Sequence, residues 1–249
     1  MKPTPAELDA PWWDDAGFWH GLHTLLDPVR LPFFRTALAV HATAPPSLLD
    51  IGSGGGFVAS GLREAARVTA IDISATAVVE ARNAGVHRVA VADAQRLPFA
   101  DGSFQAAVCS EVLEHVEDPG RVIAEAARVL APGGILLFST PNRTRWSRFV
   151  LIDLAQRWWP TRLLPHDLHV WERFVTEAEL QTHLAANDLV IRRLSGIGIR
   201  PRYWWAALLA SGLLKLGRIS YAAAGKRIHL EVTDSPRLEM IGYATKAGP

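Results

Sequence analysis

The stretch Ser47–Gly56 decides the fold, and its sequence is Ser-Leu-Leu-Asp-Ile-Gly-Ser-Gly-Gly-Gly. An apolar run that ends in an acid and a glycine cluster is typical of a buried strand that turns into a helix. Glycine permits positive φ and lets the backbone approach a ligand closely. The stretch therefore predicts a ligand-binding loop containing Gly52 and Gly54, in preference to an ordinary tight turn.

Further strand-like segments follow at short intervals. They alternate with segments of helical spacing, which predicts a parallel sheet covered by helices on both faces. The predicted strands are 47–51, 67–72, 88–92, 104–110 and 135–139, and the helices between them begin near residues 57, 74 and 118. Ligands of such sheets bind beyond the carboxyl ends of the strands, where this sequence has Asp50, Asp72, Asp93, Ser110 and Thr140.

The pattern is looser after residue 140. We expect an amphipathic helix within 144–159, a helix that starts at the capping-box pair Thr176 and Glu179, an apolar helix at 203–216, and strands at 189–194 and 238–245. The whole chain, 1–249, then forms one domain. It divides into an N-terminal helical cap (1–46), a cofactor-binding core (47–140), and lid insertions with the strands that complete the sheet (141–249).

Composition excludes several classes of protein. Of the 249 residues, 49% are hydrophobic and 20% charged, with a formal net charge of +1, which argues against disorder and against nucleic-acid binding. The single cysteine, Cys109, excludes an intrachain disulfide and a Cys-based zinc site. No apolar run reaches the roughly 20 residues that span a bilayer, and the N-terminus does not resemble a signal peptide. We therefore expect a cytoplasmic protein.

Three ligand classes compete for the glycine loop. A dinucleotide fingerprint requires a third glycine where this chain has Phe57, which disfavours a nicotinamide-dependent oxidoreductase. The Gly-Lys-Ser/Thr ending of a phosphate-binding loop is absent. S-adenosylmethionine fits better. Asp50 suits its cationic methionyl end, and Asp72, followed by Ile73, suits its ribose diol because a carboxylate has two acceptor oxygens. Asp93-Ala94 can border its adenine.

Four short motifs between residues 47 and 140, taken as a set, resemble the class I S-adenosylmethionine-dependent methyltransferases. They are Leu-Asp-Ile-Gly-Ser-Gly-Gly-Gly, then Ala-Ile-Asp, Ala-Asp-Ala and Leu-Ala-Pro-Gly-Gly. The resemblance implies a Rossmann-like α/β fold. It also implies a mostly parallel seven-stranded sheet with helices on both faces, helical cap or lid elements, and S-adenosylmethionine as the cofactor.

A possible metal site lies within the segment Ser110–Pro119. Glu111, Glu114 and His115 are three and four residues apart, which places them within one helical turn. Carboxylates and imidazole can hold a divalent cation, and carboxylates favour Mg²⁺ or Mn²⁺. In the competing interpretation Glu111 and His115 only line the cofactor pocket and Glu114 caps a helix.

A narrower resemblance covers most of residues 12–182. The segments Trp-Trp-Asp, Asp-Pro-Val-Arg-Leu-Pro-Phe-Phe, Glu-Val-Leu-Glu-His-Val-Glu-Asp-Pro and Ser-Thr-Pro-Asn-Arg are similar to the polyprenyl-catechol O-methyltransferases of ubiquinone biosynthesis. A histidine shortly before a phenylalanine, here His169 and Phe174, also matches. The chain departs from that family at Pro165–Leu168 and in its longer, more apolar segment 196–235. The resemblance implies contacts to the methyl donor from Arg30, Gly52, Asp72 and Ser110, and a metal held by Glu111, Glu114 and His115.

The expected activity is methylation of a phenol or catechol hydroxyl on an aromatic compound or quinone precursor. The hydroxyl proton must be removed for attack. His169 or His166 could remove it as general base, as could His115 if no metal binds, or a cation could stabilise the oxyanion. Two alternatives stay open: a tailoring enzyme that methylates oxygen or nitrogen of a soluble natural product, and a non-catalytic module that binds cofactor or membrane.

Tryptophan and arginine border two apolar stretches, within 143–162 and 200–218. Aromatic and cationic residues at the edge of an apolar face suit a bilayer interface. They equally suit a helical cap over the substrate or a homodimer interface. The predicted partners are a small aromatic acceptor, with or without a lipid tail, and either the inner face of the membrane or a second subunit.

Overall fold

The computed structural model describes residues 12–41, 45–159, 161–165, 168–200 and 203–248. Its centre is a sheet of eight strands in the order β3-β2-β1-β4-β5-β8-β6-β7. The first five strands pair in parallel. They are β1 (Ser47–Ile51), β2 (Arg67–Asp72), β3 (Arg88–Val91), β4 (Phe104–Ser110) and β5 (Leu130–Pro141).

The last three strands are antiparallel to their neighbours. They are β6 (Leu189–Ile199), β7 (Leu230–Thr233) and β8 (Glu239–Lys246). The α/β class and the predominantly parallel arrangement are confirmed, but the sheet has eight strands where seven were expected. The additional strand, β7, has only four residues, all half-buried; they alternate between apolar and polar, but so short a stretch was not predicted as a strand.

The helices begin where the capping residues predict. Ser74 accepts a hydrogen bond from the Ala77 amide, and Thr176 and Glu179 form a reciprocal capping box. The α-helices are α1 (Phe18–His41), α2 (Phe57–Leu62), α3 (Ala75–Asn83), α4 (Pro119–Val129), α5 (Arg145–Ser147), α6 (Glu177–Ala185), α7 (Trp204–Lys215) and α8 (Tyr221–Gly225). Among the described residues, no helix is both long and apolar enough to cross a bilayer.

One element differs in type from the expectation. The segment 144–159, predicted as an amphipathic α-helix, forms the single turn α5 and then a π-helix, Arg148–Arg157. π-Helices are rare and occur preferentially near functional sites. A short 3₁₀ turn, Trp171–Arg173, follows later in the chain.

Two apolar cores cover the two faces of the sheet. Successive residues of one strand point to opposite faces, so that Leu49 packs with α4 and α6 while Leu48 packs with α1 and α2. The lone cysteine, Cys109, is buried in the first of these cores. Because both faces are covered, the carboxyl edge of the parallel strands is where a ligand can bind.

Candidate cofactor and acceptor site

The glycine loop, residues 52–56, is held against the end of β2 by a carboxylate. The Gly54 amide donates to Asp72 Oδ2 at 2.8 Å and the Ser74 amide donates to Oδ1 at 2.9 Å. Gly52 has φ +69°, and a Cβ there would lie 2.5 Å from a Val112 methyl group. Each Asp72 oxygen can accept a further hydrogen bond, as the two hydroxyls of a ribose require.

Asp50 lies under the loop with an unsatisfied oxygen. Its side chain is buried, and Oδ2 has no hydrogen-bond partner among the described residues. Burial raises the pKa of Asp50 to about 7, although the charge of Arg30 opposes the shift. An unpartnered buried carboxylate oxygen is a favourable contact for an ammonium or sulfonium group.

Arg30 reaches the same edge from α1 and is only 1% exposed. Its guanidinium donates to Asp27 Oδ1 (2.7 Å), Ser110 Oγ (3.0 Å) and His23 Nδ1 (2.7 Å). Burial lowers the pKa of His23 to about 4, which leaves its ring neutral and Nδ1 free to accept. Arginine has five N–H donors, so two have no partner among the residues that the structure describes, and two is the number that a carboxylate takes in a bidentate contact.

The N-terminal segment closes over the glycine loop, a role that the sequence analysis did not assign. A Cβ on Gly54 would lie 2.6 Å from the Trp12 ring, and Trp13 Nε1 donates to the Gly55 carbonyl at 2.8 Å. Trp12 in turn stacks on Trp19 with ring centroids 4.5 Å apart. The adjacent tryptophans of the Trp-Trp-Asp motif were the available sequence evidence for this cover.

The predicted adenine side is more open. Ile73 is 68% exposed just after β2, and the Ala92 amide donates to the Asp72 carbonyl, which ties the ends of β2 and β3 together. Asp93 is exposed and accepts from the Gln95 amide, and Ala94 is half-buried beside it. Along this edge, Arg30 and Asp50 fit the amino acid end of S-adenosylmethionine and Asp72 fits its ribose. The open apolar surface fits its adenine.

Three carboxyl groups meet beside β4. Glu111 has a left-handed backbone, φ +58°, and accepts from Ser139 Oγ at 2.8 Å. The carboxyl groups of Glu114 and Glu239 lie beside it. Burial and the nearby Glu111 charge hold the pKa values of Glu114 and Glu239 well above their usual range, which favours their protonated forms. Glu239 was missed, because a single acid in the last strand carries no local motif.

Two imidazoles face Glu114 on its other side. The His115 and His169 rings stack with centroids 5.7 Å apart, and burial lowers their pKa values to about 4 and about 3. One ligand atom from each of Glu114, His115 and His169 lies within 4.8 Å of the others. Glu114 Oε1 and His169 Nδ1 have no hydrogen-bond partner among the described residues. These three could hold a metal ion; this grouping has His169 where the predicted ligand set has Glu111.

The π-helix determines where His169 lies. Gln156, which is buried, accepts from the His169 amide at 2.8 Å and donates to the His169 carbonyl at 3.0 Å. The other predicted catalytic histidine of this segment, His166, lies outside the described residues.

Comparison with known proteins identifies the same core. The model of a family described as a methyltransferase domain matches residues 49–138. A ubiquinone biosynthesis O-methyltransferase of Xanthomonas oryzae pv. oryzae is 35% identical over 224 residues, which cover 87% of this chain and 90% of the relative. A protein of the same name from Alkalilimnicola ehrlichii is 36% identical over 206 residues, covering 79% and 81%.

Solved structures share the fold at lower identity. An S-adenosylmethionine-dependent methyltransferase of Thermotoga maritima, described as a possible histamine N-methyltransferase, superposes with a TM-score of 0.58 at 18% identity, covering 90% of this chain and 93% of its own. The geranyl diphosphate C-methyltransferase of Streptomyces coelicolor superposes with a TM-score of 0.57 at 18% identity, covering 87% and 80%.

Proposed function

The chain belongs to the family of the ubiquinone biosynthesis O-methyltransferases, which use S-adenosylmethionine, and from this premise we propose that it methylates a phenol or catechol hydroxyl of a quinone precursor with an apolar tail. The observation that carries the proposal is the stacked pair of half-buried, neutral imidazoles, His115 and His169, beside the cofactor strands. A neutral imidazole can accept the proton that a phenol must lose before it attacks a methyl group.

We call the residues at the ends of β1 and β2, together with Arg30, the cofactor half of the site, and in this proposal each of them has a defined task. Arg30 binds the cofactor carboxylate, Asp50 lies near the positive methionyl end, and Asp72 accepts from the ribose hydroxyls. When bound, S-adenosylmethionine supplies an electrophilic methyl carbon on a positive sulfur and leaves as a neutral thioether. Trp12 and Trp13 exclude water from the loop. The fold contributes chiefly alignment of the acceptor oxygen with the methyl carbon.

The acceptor half of the site, formed by Glu114, His115 and His169, would hold the hydroxyl of the phenol or catechol and remove its proton. His169 Nδ1, which has no partner among the described residues, would accept the phenolic proton as the oxygen–carbon bond forms. His115 Nε2, which lies 3.9 Å from the buried Glu114 Oε1, is the second nitrogen that could accept the proton. Whichever histidine accepts the proton, the acceptor belongs to the proposed site.

The alternative to a histidine base is a divalent cation held by Glu114, His115 and His169, whose imidazoles would then bind the ion instead of accepting the proton. Two imidazole nitrogens and one carboxylate oxygen suit Mn²⁺ or Zn²⁺ better than the expected Mg²⁺, which prefers oxygen ligands. A bound cation would supply Lewis-acid stabilisation of the phenolate. Exhaustive EDTA treatment followed by an activity assay tests this. Loss of activity that is restored by Mn²⁺ or Zn²⁺ supports a metal, and full retention would assign deprotonation to the histidines alone.

The central experiment uses ¹³C-methyl S-adenosylmethionine with two catechols, one bearing an isoprenoid tail and one without. We expect an O–¹³CH₃ resonance and a higher kcat/KM for the tailed catechol. Equal rates on both would favour a tailoring enzyme for soluble aromatics. Cofactor binding without transfer to either catechol would favour a non-catalytic module and overturn the proposal.

An exposed apolar surface favours a second element of the proposal, contact with a membrane. Trp146, before the π-helix, packs on Trp204 at the start of α7 (6.0 Å), and Trp159, after the π-helix, lies 4.6 Å from Lys215 Nζ at the end of α7. The π-helix and α7 therefore run side by side in one direction. We name this surface the two-helix platform; its exposed apolar side chains are Trp146, Phe149, Trp158, Trp159, Trp205, Leu208, Leu209 and Leu216.

The charged residues around the two-helix platform are mostly positive. Within 145–162 and 203–218 the cations are Arg145, Arg148, Arg157, Arg162, Lys215 and Arg218, and the only acid is Asp153. An apolar face that carries tryptophan and is bordered by cations suits the interface of an anionic bilayer. Such a surface would let a lipid-tailed acceptor enter the site directly from the membrane.

Vesicle co-sedimentation tests the membrane contact. We expect the protein to pellet with phosphatidylglycerol vesicles at low salt, and the double variant Leu208→Ser/Leu209→Ser to stay in the supernatant. The control is Val190→Ser, an exposed apolar position on β6. If the wild type does not pellet but forms a dimer that the double variant loses, the surface is a subunit interface instead.

A further inference from the structure

Helices α1 and α8 approach each other more closely than side chains normally allow. A Cβ on Gly21 of α1 would lie 2.6 Å from Tyr221 Cβ and 2.9 Å from its carbonyl carbon. A Cβ on Gly225 of α8 would overlap Thr24 Oγ1 and lie 2.5 Å from the Gly21 carbonyl oxygen. Both glycines are therefore required for the contact as it stands.

A shared hydroxyl joins the two helices at this contact. Thr24 Oγ1 can donate to the Gly21 carbonyl (2.8 Å) within α1 and to the Ala222 carbonyl (3.2 Å) of α8. The Phe18 ring adds an edge-on contact to Tyr221, with centroids 5.9 Å apart. The first two turns of α1 are thus attached to α8 by backbone proximity and hydrogen bonding.

The same helix carries the cofactor contacts on its other side. The His23 ring stacks on Phe57, the first residue of α2 after the glycine loop, at 3.5 Å. Arg30 lies two turns further along and donates to Ser110 at the end of β4. Helix α1 therefore lies between α8 and the glycine loop, and a shift at one contact moves the other.

Helix α1 cannot easily hold this position by itself. Pro28 and Pro32 interrupt it, and each proline removes a backbone hydrogen bond of the preceding turn. The missing bond of Pro28 would have joined it to the Thr24 carbonyl, directly between the α8 contact and Arg30. The direction of α1 at Arg30 accordingly depends on what packs against it.

We propose that Gly225 is a positioning residue for the cofactor site: by letting α8 contact α1 directly, it holds Arg30 where its two available N–H groups meet the cofactor carboxylate. This assignment rests on the proposed role of Arg30. It gives the segment between β6 and β7, which lies far from the glycine loop in sequence, a defined part in methyl-donor binding.

The test compares Gly225→Ala with Gly212→Ala, a glycine of α7 whose Cβ would have no described heavy atom within 4 Å. The probe is S-adenosylhomocysteine in isothermal titration. We expect Gly225→Ala to weaken its binding about tenfold, since small misplacements are costly even far from the chemistry. The KM for the methyl donor should rise with kcat at saturation nearly unchanged, and Gly212→Ala should bind like the wild type.

A second variant covers the case in which Gly225→Ala does not fold. Thr24→Val keeps the shape of the side chain and removes both hydrogen bonds, and we expect it to weaken S-adenosylhomocysteine binding about threefold to fivefold, in line with the loss of a hydrogen bond. Variants that lower the melting temperature but bind S-adenosylhomocysteine like the wild type, well below that temperature, would overturn the proposal.

Arg30→Lys, measured beside them, separates the two claims. If it weakens binding and the Gly225 and Thr24 variants do not, only the positioning role is wrong. If it too binds like the wild type, the role of Arg30 fails, and the positioning proposal fails with it.

Discussion

The two halves of the carboxyl edge are built in opposite ways. On the cofactor side, the five-residue glycine loop joins β1 to α2, and its Gly54 amide donates directly to a strand-end acid, Asp72. On the acceptor side, β5 and β6 are followed by long connections that contain the π-helix, α7 and α8. The ligand common to the fold would thus meet short, backbone-determined contacts, whereas the ligand that differs between enzymes would meet long insertions.

The largest expected effect is a loss of kcat that leaves the affinity for the cofactor product nearly unchanged. Replacing His169 by Ala should lower kcat by roughly 100-fold, the usual contribution of a general acid–base group. Binding of S-adenosylhomocysteine should stay within about twofold of the wild type, because His169 lies in the acceptor half. Steady-state kinetics and calorimetry on one preparation check both.

The control for this variant is His87→Ala, at an exposed position beside β3. If His169→Ala lost cofactor affinity as strongly as kcat, the division of the edge into two halves would be wrong.

The converse result, a loss of affinity with little change in kcat, is expected from a substitution in the cofactor half. Asp72→Asn removes the charge that ribose hydroxyls would meet, and it should weaken S-adenosylhomocysteine binding roughly tenfold, since hydrogen bonds to charged groups contribute about 1.5–3 kcal/mol. At saturating cofactor kcat should change little. Asp101→Asn, which affects only a surface pair with Arg128, is the matched control. A variant with normal affinity and reduced kcat would contradict the assignment.

The last prediction concerns the free energy of unfolding and not activity, and it follows from the pH dependence of the attachment of α1. The pKa of His23 is about 4 in the folded protein and about 6.5 when unfolded, so the unfolded state binds more protons between these values. Stability should therefore fall as pH falls through this window, by at most about 3 kcal/mol from this group. Protonation would add charge next to Arg30 and His20, and Asp27 is the only anion that faces His23 among the described residues.

Urea unfolding followed by tryptophan fluorescence at pH 7 and pH 4.5 measures this. His115 and His169 titrate in the same direction, so the comparison with His23→Gln isolates one group. The variant should lose less stability on acidification than the wild type. Identical losses would show that His23 does not contribute.

Much of the cofactor half was predictable from sequence, because its residues are local. Asp50 and Asp72 follow apolar strands directly, and parallel strands bring their carboxyl ends to one edge. Glu239 was not predictable, because it meets Glu111 only through the insertion of β8 beside β5. The contact at Gly225 was also not predictable, because no local sequence pattern shows which helix will pack against a glycine.

The candidate metal ligands show the same limit within one segment. Helical spacing placed Glu111, Glu114 and His115 on one helical turn, but this prediction was wrong, because residues 111–118 form turns and bends and no helix. Glu111 has a left-handed backbone, and its carboxylate accepts from Ser139 Oγ. His169 lies among the ligand atoms instead, held there by Gln156 of the π-helix. Sequence spacing describes neighbours within an element and cannot describe a side chain contributed by a distant connection.

A crystal structure with S-adenosylhomocysteine tests the central claim most directly. We predict the ligand carboxylate on the two available N–H groups of Arg30, the ribose hydroxyls on Asp72, the adenine against Ile73, and the sulfur directed toward His115 and His169. A ligand bound elsewhere, or bound at the glycine loop with its sulfur directed away from both histidines, would contradict the account.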